Sequence, residues 1–267
     1  PLGGGLSSSA SLETVFAYGL MMISAATIDR GQLAQWCQRA ENEFVGVNCG
    51  IMDQYVISLS ASNQAMKLDC RSLQYDQVAL PVSACILVVD TGVHHQLKNG
   101  GFNKRRRDCE HGVSILGQLV EGIVALRDVS PAMLELHRGQ LDDQAYRRAR
   151  HVVTEIQRVA LAQQAMLDND LPTLGQILND SHASLRDDFE VSSEELDALT
   201  GIARSCEGVY GARMVGAGFG GCIISLVKLS CLKAVIETIC LEYSTLKGSE
   251  PWWHVVAASD PVGEVKP

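Results

Sequence analysis

The sequence predicts an α+β protein, and two observations support this class. Short apolar runs typical of strands and longer segments with helical periodicity follow one another in mixed order, and the middle of the chain is helical. The composition is globular, since 46% of the 267 residues are hydrophobic and 20% are charged, which excludes general disorder. This length allows one or two domains, and we predict a boundary near Pro81, where the helix-rich part begins.

Each predicted element rests on a local pattern. Helices are predicted where apolar residues recur with helical spacing between turn signals, at residues 9–28, 32–44, 104–125, 144–168, 172–186, 194–206 and 232–244. Strands are predicted at short apolar runs, at residues 66–70, 77–80, 85–90, 214–219, 222–227 and 253–257. The run 85–90 is apolar until its final Asp90, which is typical of a buried strand.

Charge and cysteine spacing exclude several classes of function. The chain carries 22 Lys and Arg against 31 Asp and Glu, a net charge of −9, so we expect neither nucleic acid nor a membrane surface as a partner. The charge-free stretch 14–28 covers 15 residues, fewer than the ~20 that span a bilayer, and predicts a core helix. The nine cysteines form no C-x-x-C pair, which fits reduced thiols in a cytoplasmic protein rather than a zinc or redox site.

The first candidate site is the glycine- and serine-rich opening of the chain. Its glycines let backbone N–H groups turn inward, and its serines lie at the start of an apolar helix, where the helix dipole favours an anion. Hydroxyl groups there also suit a phosphate-linked Mg²⁺. The alternative is an ordinary N-cap after a flexible loop, for which one serine is enough. We predict a phosphate-binding loop made of Gly3, Gly4, Gly5, Leu6, Ser7, Ser8 and Ser9.

A second glycine-rich run occupies residues 216–221. It matches G-x-G-x-x-G literally, but a strand-like segment follows it where a dinucleotide-binding fold requires a helix. We therefore reject the dinucleotide site and predict a loop whose backbone approaches another group closely. The alternative is a glycine-rich hairpin turn.

Two carboxylates and two basic clusters complete the candidate residues. Asp53 is the one charged residue between Phe44 and Met66, and a carboxylate among apolar neighbours is a candidate general base. Glu41 offers an oxygen ligand for Mg²⁺. The alternative for both acids is a solvated or capping role. The basic residues at 104–107 and 147–158 are predicted to lie on solvated helix faces.

Together these motifs resemble the galactokinases, within the superfamily of galactokinases, homoserine kinases, mevalonate kinases and phosphomevalonate kinases (GHMP kinases). Residues 1–13 resemble the phosphate-binding second motif of that superfamily, and residues 211–222 resemble its third motif. Three further segments, at residues 49–54, 69–73 and 181–192, are similar to galactokinases in particular. The resemblance extends over essentially the whole chain.

The resemblance implies a fold and an activity. The fold is the two-domain GHMP kinase fold, with a ribosomal S5 domain 2-like N-terminal domain and a ferredoxin-like, helical C-terminal domain. Residues 1–80 would be the remainder of the first domain and residues 81–267 the second, with the last strand returning to the first. The implied activity is ATP-dependent phosphorylation of α-D-galactose to galactose 1-phosphate by a cytoplasmic protein. The sequence leaves the oligomeric state open, and a monomer is the expectation.

The resemblance also implies roles for individual residues. Asp53 would be the catalytic base, and Ser9 and Glu41 would hold Mg²⁺, while the loop from Gly3 to Ser9 would wrap the ATP phosphates. The run 216–221 would support the phosphate loop and the sugar site. The substrate-binding residues implied in this way are Asp53, Phe102, Gly216, Gly218 and Gly220.

Two departures from the galactokinase pattern matter. The Gly-Glu-His-Thr-Asp-Tyr motif that holds the sugar hydroxyls in galactokinases precedes the phosphate loop and is absent, so we expect the N-terminal third to be missing. Phe102 stands where the family usually has a Tyr that contacts the sugar. An N-acetylgalactosamine kinase and a non-catalytic galactose and ATP sensor are therefore kept as alternatives, as is a chain that is inactive without the missing motif.

Overall fold

The computed structural model describes residues 5–27, 29–93 and 101–264, with the side chain of Phe102 excepted. Of the predicted site residues, Gly3, Gly4 and the side chain of Phe102 therefore lie outside the described part. The described residues form helices packed on and beside antiparallel sheets, in mixed order along the chain. This confirms the predicted α+β class.

Three helices and a hairpin make up the first part of the chain. Helix α1 (Ser8–Ile23) packs against α2 (Arg30–Ala40) and α3 (Met52–Leu59), and α2 continues into a π-helical turn at Glu41–Val45. A hairpin of β1 (Gln64–Leu68) and β2 (Tyr75–Ala79) follows. A small apolar core between these elements contains Ala34, Ile51 and Tyr55.

A four-stranded antiparallel sheet is the centre of the second part. Its strand order is β4-β5-β3-β6. The strands are β3 (Ala84–Asp90), β4 (Val209–Met214), β5 (Cys222–Lys228) and β6 (Trp253–Val256). The predicted strand at 214–219 is wrong, because the strand ends at Met214 and Gly216, Gly218 and Phe219 all have positive φ angles that no strand accommodates.

Helices cover this sheet and extend beyond it. They are α4 (Gly101–Leu119), α5 (Pro131–Leu136), α6 (Asp143–Leu167), α7 (Leu171–Asp187), α8 (Glu194–Ser205) and α9 (Leu232–Lys247). The main core lies between the sheet and helices α8 and α9, and includes Leu87, Val89, Leu196, Leu199, Ile223 and Ile239. A second core joins α4 to α6 and includes Leu116, Leu134, Ala149 and Val153.

Helix α7 lies directly on strand β4, backbone against backbone. A Cβ atom on Gly175 would overlap the carbonyl of Tyr210, and a Cβ atom on Gly211 would overlap the carbonyl of Gly175. Only glycine at both positions permits this separation. The contact fixes the position of the α7 C-terminus and of the segment that follows it.

The chain after β6 runs back to the first part. Strand β6 itself pairs with β3, with Val89 opposite Trp253. Beyond it, the N–H of Val262 donates to the carbonyl of Ile57 at 2.9 Å, and Arg30 Nη1 donates to the carbonyl of Val262 at 2.6 Å. The domain boundary near residue 80 stays a prediction.

His182 connects α7, α8 and β4 in the interior. Its Nδ1 accepts the backbone N–H of Met214 at 3.2 Å, and its Nε2 lies 3.1 Å from Asp197 Oδ1 and 3.0 Å from Thr200 Oγ1. A ring nitrogen that accepts a hydrogen bond carries no proton, so the geometry assigns a neutral ring with its hydrogen on Nε2. In agreement with this, burial lowers the pKa of His182 to about 4.

We expect His182 to make the free energy of unfolding fall as the pH is lowered from about 6.5 to about 4. The unfolded chain protonates His182 near its ordinary pKa of 6.5, whereas the folded protein does so only near 4, so protons favour the unfolded state in this window. One such histidine contributes a slope of about 1.4 kcal/mol per pH unit. Urea unfolding across this pH range measures the slope. The variant His182→Gln should have a shallower slope than the wild type. Equal slopes for wild type and His182→Gln would contradict this assignment.

Candidate active site

The two glycine-rich loops predicted from opposite ends of the sequence meet in the structure. Gly5 and Gly216 both have positive φ angles, of 73° and 78°. A Cβ atom on Gly216 would lie 2.7 Å from the Gly5 carbonyl oxygen, and one on Gly5 would lie 3.1 Å from the Val215 carbonyl oxygen. The two backbones are therefore in contact, and a side chain at either glycine would separate the loops.

The loop at 215–221 is fixed on two further sides. The N–H of Phe219 donates to the carbonyl of Val191 at 2.6 Å, and the N–H of Gly221 donates to the carbonyl of Val93 at 2.8 Å. Cβ atoms on Gly218 and Gly220 would overlap these same two carbonyls. The predicted close backbone approach is thus present at Gly216, Gly218 and Gly220. Strand β5 follows the loop at the place where a dinucleotide-binding fold would have a helix.

The start of α1 is not capped by a side chain. Ser7 occupies the N-cap position in a left-handed conformation and makes no side-chain capping hydrogen bond. Its side chain lies near the carboxyl group of Asp53 instead. An uncapped helix N-terminus offers its backbone N–H groups to an anion, so the N-cap alternative accounts for this loop less well than phosphate binding does.

Asp53 lies in the first turn of α3, next to the start of α1. Burial raises the pKa of Asp53, and the nearby Ser7 hydroxyl opposes part of this rise. A carboxylate with a raised pKa is a stronger proton acceptor once ionised, which is the property of a general base. The structure therefore brings the candidate base into contact with the candidate phosphate loop.

Ser9 and Glu41 are also brought together. The Ser9 hydroxyl donates to Glu41 Oε2 at 2.8 Å, and Glu41, the first residue of the π-helical turn, is only 8% exposed. Glu13, one turn further along α1, lies against both groups, and burial followed by the contact with Glu41 raises the pKa of Glu13 to about 7. Sequence reasoning assigned no role to Glu13, because a single acid in an apolar helix gives no signal of its partner.

The donor set around Ser9 suits Mg²⁺. It consists of hydroxyl and carboxylate oxygens, and Glu13 Oε2 is buried without a hydrogen-bond partner. Mg²⁺ typically takes one or two protein carboxylates and completes its coordination with substrate phosphates and water. The described residues contain no group of three or more His, Cys, Asp or Glu side chains arranged as a metal site. A cation here would thus share its coordination with a phosphate ligand.

The basic residues predicted on solvated faces are in part buried, and that prediction is wrong for Arg105 and Arg148. Arg148 Nη2 lies 2.5 Å from Glu190 Oε2, and Arg105 donates to the carbonyls of Phe189 and Glu190 at 2.5 and 2.8 Å. Only 2% of the Arg148 surface is exposed. These contacts hold the segment just before Val191, which in turn holds the glycine loop.

Helix α4 begins beside the same loop. A Cβ atom on Gly101 would lie 2.9 Å from the ring of Phe219, and Arg106 Nη1 donates to the carbonyl of Asn48 at 3.0 Å. The Oδ1 atom of Asn103 is buried without a hydrogen-bond partner. The start of α4 therefore lies between the glycine loop and the segment that leads to Asp53.

Comparison with known proteins agrees with this architecture. The family described as the GHMP kinases N terminal domain matches residues 1–61, and the GHMP kinases C terminal domain matches residues 162–244. The galactokinase of Roseiflexus sp. (strain RS-1) is 42% identical over 265 residues, which cover 99% of this chain and 68% of the relative. The galactokinase of Bos taurus is 43% identical over 244 residues, covering 91% of this chain and 61% of the relative.

A solved structure agrees equally well. The crystal structure of Lactococcus lactis galactokinase complexed with galactose has a TM-score of 0.94 and 34% identity, covering 98% of this chain and 68% of that chain. The Methanococcus jannaschii mevalonate kinase shares the fold, with a TM-score of 0.62 at 14% identity. This chain spans about two thirds of the length of the Roseiflexus and Lactococcus proteins.

The fold, the paired glycine loops and the two matching domains define a GHMP kinase. Within this class, the sequence identity and the coverage of the galactokinase relatives show that the chain belongs to the galactokinase family. The resemblance drawn from the sequence motifs is confirmed, as is the predicted GHMP kinase fold. In the part of the chain that the structure describes, every helix is too short or too polar to cross a membrane.

Proposed function

We propose that the protein transfers the γ-phosphoryl group of ATP to the anomeric hydroxyl of galactose and forms galactose 1-phosphate. The observation that carries this proposal is the proximity of Ser7, in the loop at the start of α1, to the half-buried carboxyl group of Asp53. It joins an anion-binding loop to a single base, the two parts that a phosphoryl transfer to a hydroxyl requires. Family membership supports galactose, since the related Lactococcus lactis structure holds that sugar.

In this proposal Asp53 accepts the proton of the sugar hydroxyl as the hydroxyl attacks the γ-phosphorus. The loop from Gly3 to Ser9 binds the phosphates through backbone N–H groups. Because the chain has a net charge of −9, its overall charge does not attract an anionic nucleotide, and these local N–H groups supply the attraction instead. Ser9 and Glu41 hold Mg²⁺, which neutralises charge on the phosphates when bound. Gly216, Gly218 and Gly220 keep the second loop close to the first and to the sugar.

The substrate test is an ADP-release assay with ATP, Mg²⁺ and single sugars. We expect ADP release to depend on galactose and to be much slower with N-acetylgalactosamine or glucose. Faster release with N-acetylgalactosamine would contradict the proposed sugar. Binding of galactose and ATP without ADP release would support the sensor alternative instead.

We further propose that the protein is a cytoplasmic monomer with a domain boundary near residue 80. Limited proteolysis tests the boundary, because cleavage should concentrate near this position if two domains meet there. Sedimentation at micromolar concentration tests the monomer. A stable dimer or cleavage confined to other segments would contradict these two statements.

A further inference from the structure

Glu13 lies on the same face of α1 as Ser9, four residues further along the helix. Its carboxyl group lies against Ser9, Glu41 and Gln54. One of its oxygens, Oε2, is buried and has no hydrogen-bond partner. Such an atom normally finds a donor, so an orphaned oxygen beside a second carboxylate calls for an explanation.

Gln54 is the neighbour that packs on the Glu13 carboxyl group from α3. Its side chain is almost completely buried, with 2% of its surface exposed, and its Oε1 also lacks a partner. Its Nε2 reaches the sulfur of Cys49 at 3.8 Å. The Gln54 amide therefore lies against Glu13, and Glu13 Oε2 remains a buried acceptor without a donor beside Ser9 and Glu41, where a cation would satisfy it.

We propose that Glu13 is a second carboxylate of the Mg²⁺ site and holds the cation together with Ser9 and Glu41. The proposal rests on the proposed function, which brings the cation in with the nucleotide. Two adjacent carboxylates repel one another when both are ionised, and a divalent cation removes this repulsion. Two carboxylates and a hydroxyl are within the number of protein ligands that Mg²⁺ accepts alongside phosphate oxygens.

The competing role for Glu13 is a protonated hydrogen-bond partner that merely orients Glu41. The substitution Glu13→Gln separates the two roles, because Gln keeps a hydrogen-bond donor of the same size but removes the charge. If Glu13 is a protonated partner, Gln in its place should leave the affinity for the cation almost unchanged. If Glu13 is a cation-binding carboxylate, the same substitution should weaken that affinity.

The experiment is a titration with Mn²⁺ followed by electron paramagnetic resonance, on the protein with and without ADP. We expect Glu13→Gln to weaken Mn²⁺ affinity in the ADP complex roughly tenfold to a hundredfold, the usual effect of losing a group that supports a metal. The matched control is Glu43→Gln, since Glu43 lies in the same π-helical turn as Glu41 but is exposed and paired with Arg39. This control should bind Mn²⁺ as the wild type does.

Wild-type Mn²⁺ affinity in a folded Glu13→Gln variant would overturn the proposal. Without metal, this variant should melt at or above the wild-type temperature, because one of two adjacent carboxylates is gone. A lower melting temperature together with unchanged affinity would assign Glu13 a structural role. If Glu13→Gln does not fold, the same titration is made with Glu13→Asp. The shorter carboxylate should also weaken the Mn²⁺ affinity of the ADP complex, and an unchanged affinity would overturn the proposal. Weakened Mn²⁺ binding in a protein that phosphorylates no sugar would refute the proposed function and leave this inference standing.

Discussion

Replacing Asp53 with Asn is expected to lower kcat for galactose phosphorylation by about 10²–10⁴-fold and to leave ATP affinity unchanged. The amide has the size of the carboxylate and still offers an acceptor oxygen to the nearby Ser7, so the loop at the start of α1 keeps its neighbour. It does not accept the proton of the sugar hydroxyl. The loss should therefore fall on turnover and spare the binding of nucleotide.

Steady-state kinetics and nucleotide titration on the same preparation measure both effects. The control is Asp76→Asn, which removes a carboxylate from an exposed position on β2. It should leave kcat and ATP affinity at their wild-type values. Turnover by Asp53→Asn at the wild-type rate would show that another group takes the proton.

Gly211→Ala is expected to have the largest effect on stability, with a loss of about 3 kcal/mol or more in the free energy of unfolding. The new methyl group would overlap the carbonyl of Gly175 in α7, which is backbone and has no alternative rotamer. Overpacking a core commonly costs about 1–3 kcal/mol, and a clash between two regular elements belongs at the upper end. Helix α7 would have to move away from β4, and the segment at 188–191 that holds the glycine loop would move with it.

Urea unfolding of Gly211→Ala and of a control variant measures this effect. The control is Gly201→Ala, because Gly201 lies on α8 with no atom within 4 Å of the added Cβ. Alanine there should raise the unfolding free energy by roughly 0.5–1 kcal/mol, since glycine is a poor helix former. An unfolding midpoint for Gly211→Ala at or above that of the wild type would mean that α7 and β4 are not packed as described.

Most long elements were predictable from the sequence because periodicity over many residues is a strong signal. Helix α3 was not predicted, since its eight residues follow a glycine-rich stretch and are too few to reveal a helical repeat. Strand β4 was predicted five residues too late. The loop after it contains Val215, Ala217 and Phe219, which look like a strand until the positive φ angles are known.

The candidate site was predictable where residue type alone points to chemistry. Ser9, Glu41 and Asp53 were singled out in this way, and the structure brings Ser9 to Glu41 and Ser7 to Asp53. Glu13 was missed because its contact with Glu41 depends on how α1 and the π-helical turn pack. Arg148 was missed for a similar reason, since a basic cluster on a helix is usually solvated and its partner Glu190 is distant in sequence.

Phosphorus-31 NMR of the products formed from ATP and galactose is the decisive measurement. Galactose 1-phosphate should accumulate with wild-type protein, and the Asp53→Asn variant should form it at least about a hundredfold more slowly. A phosphate on any other hydroxyl of the sugar, or equal rates for the two proteins, would contradict proton transfer from the anomeric hydroxyl to Asp53.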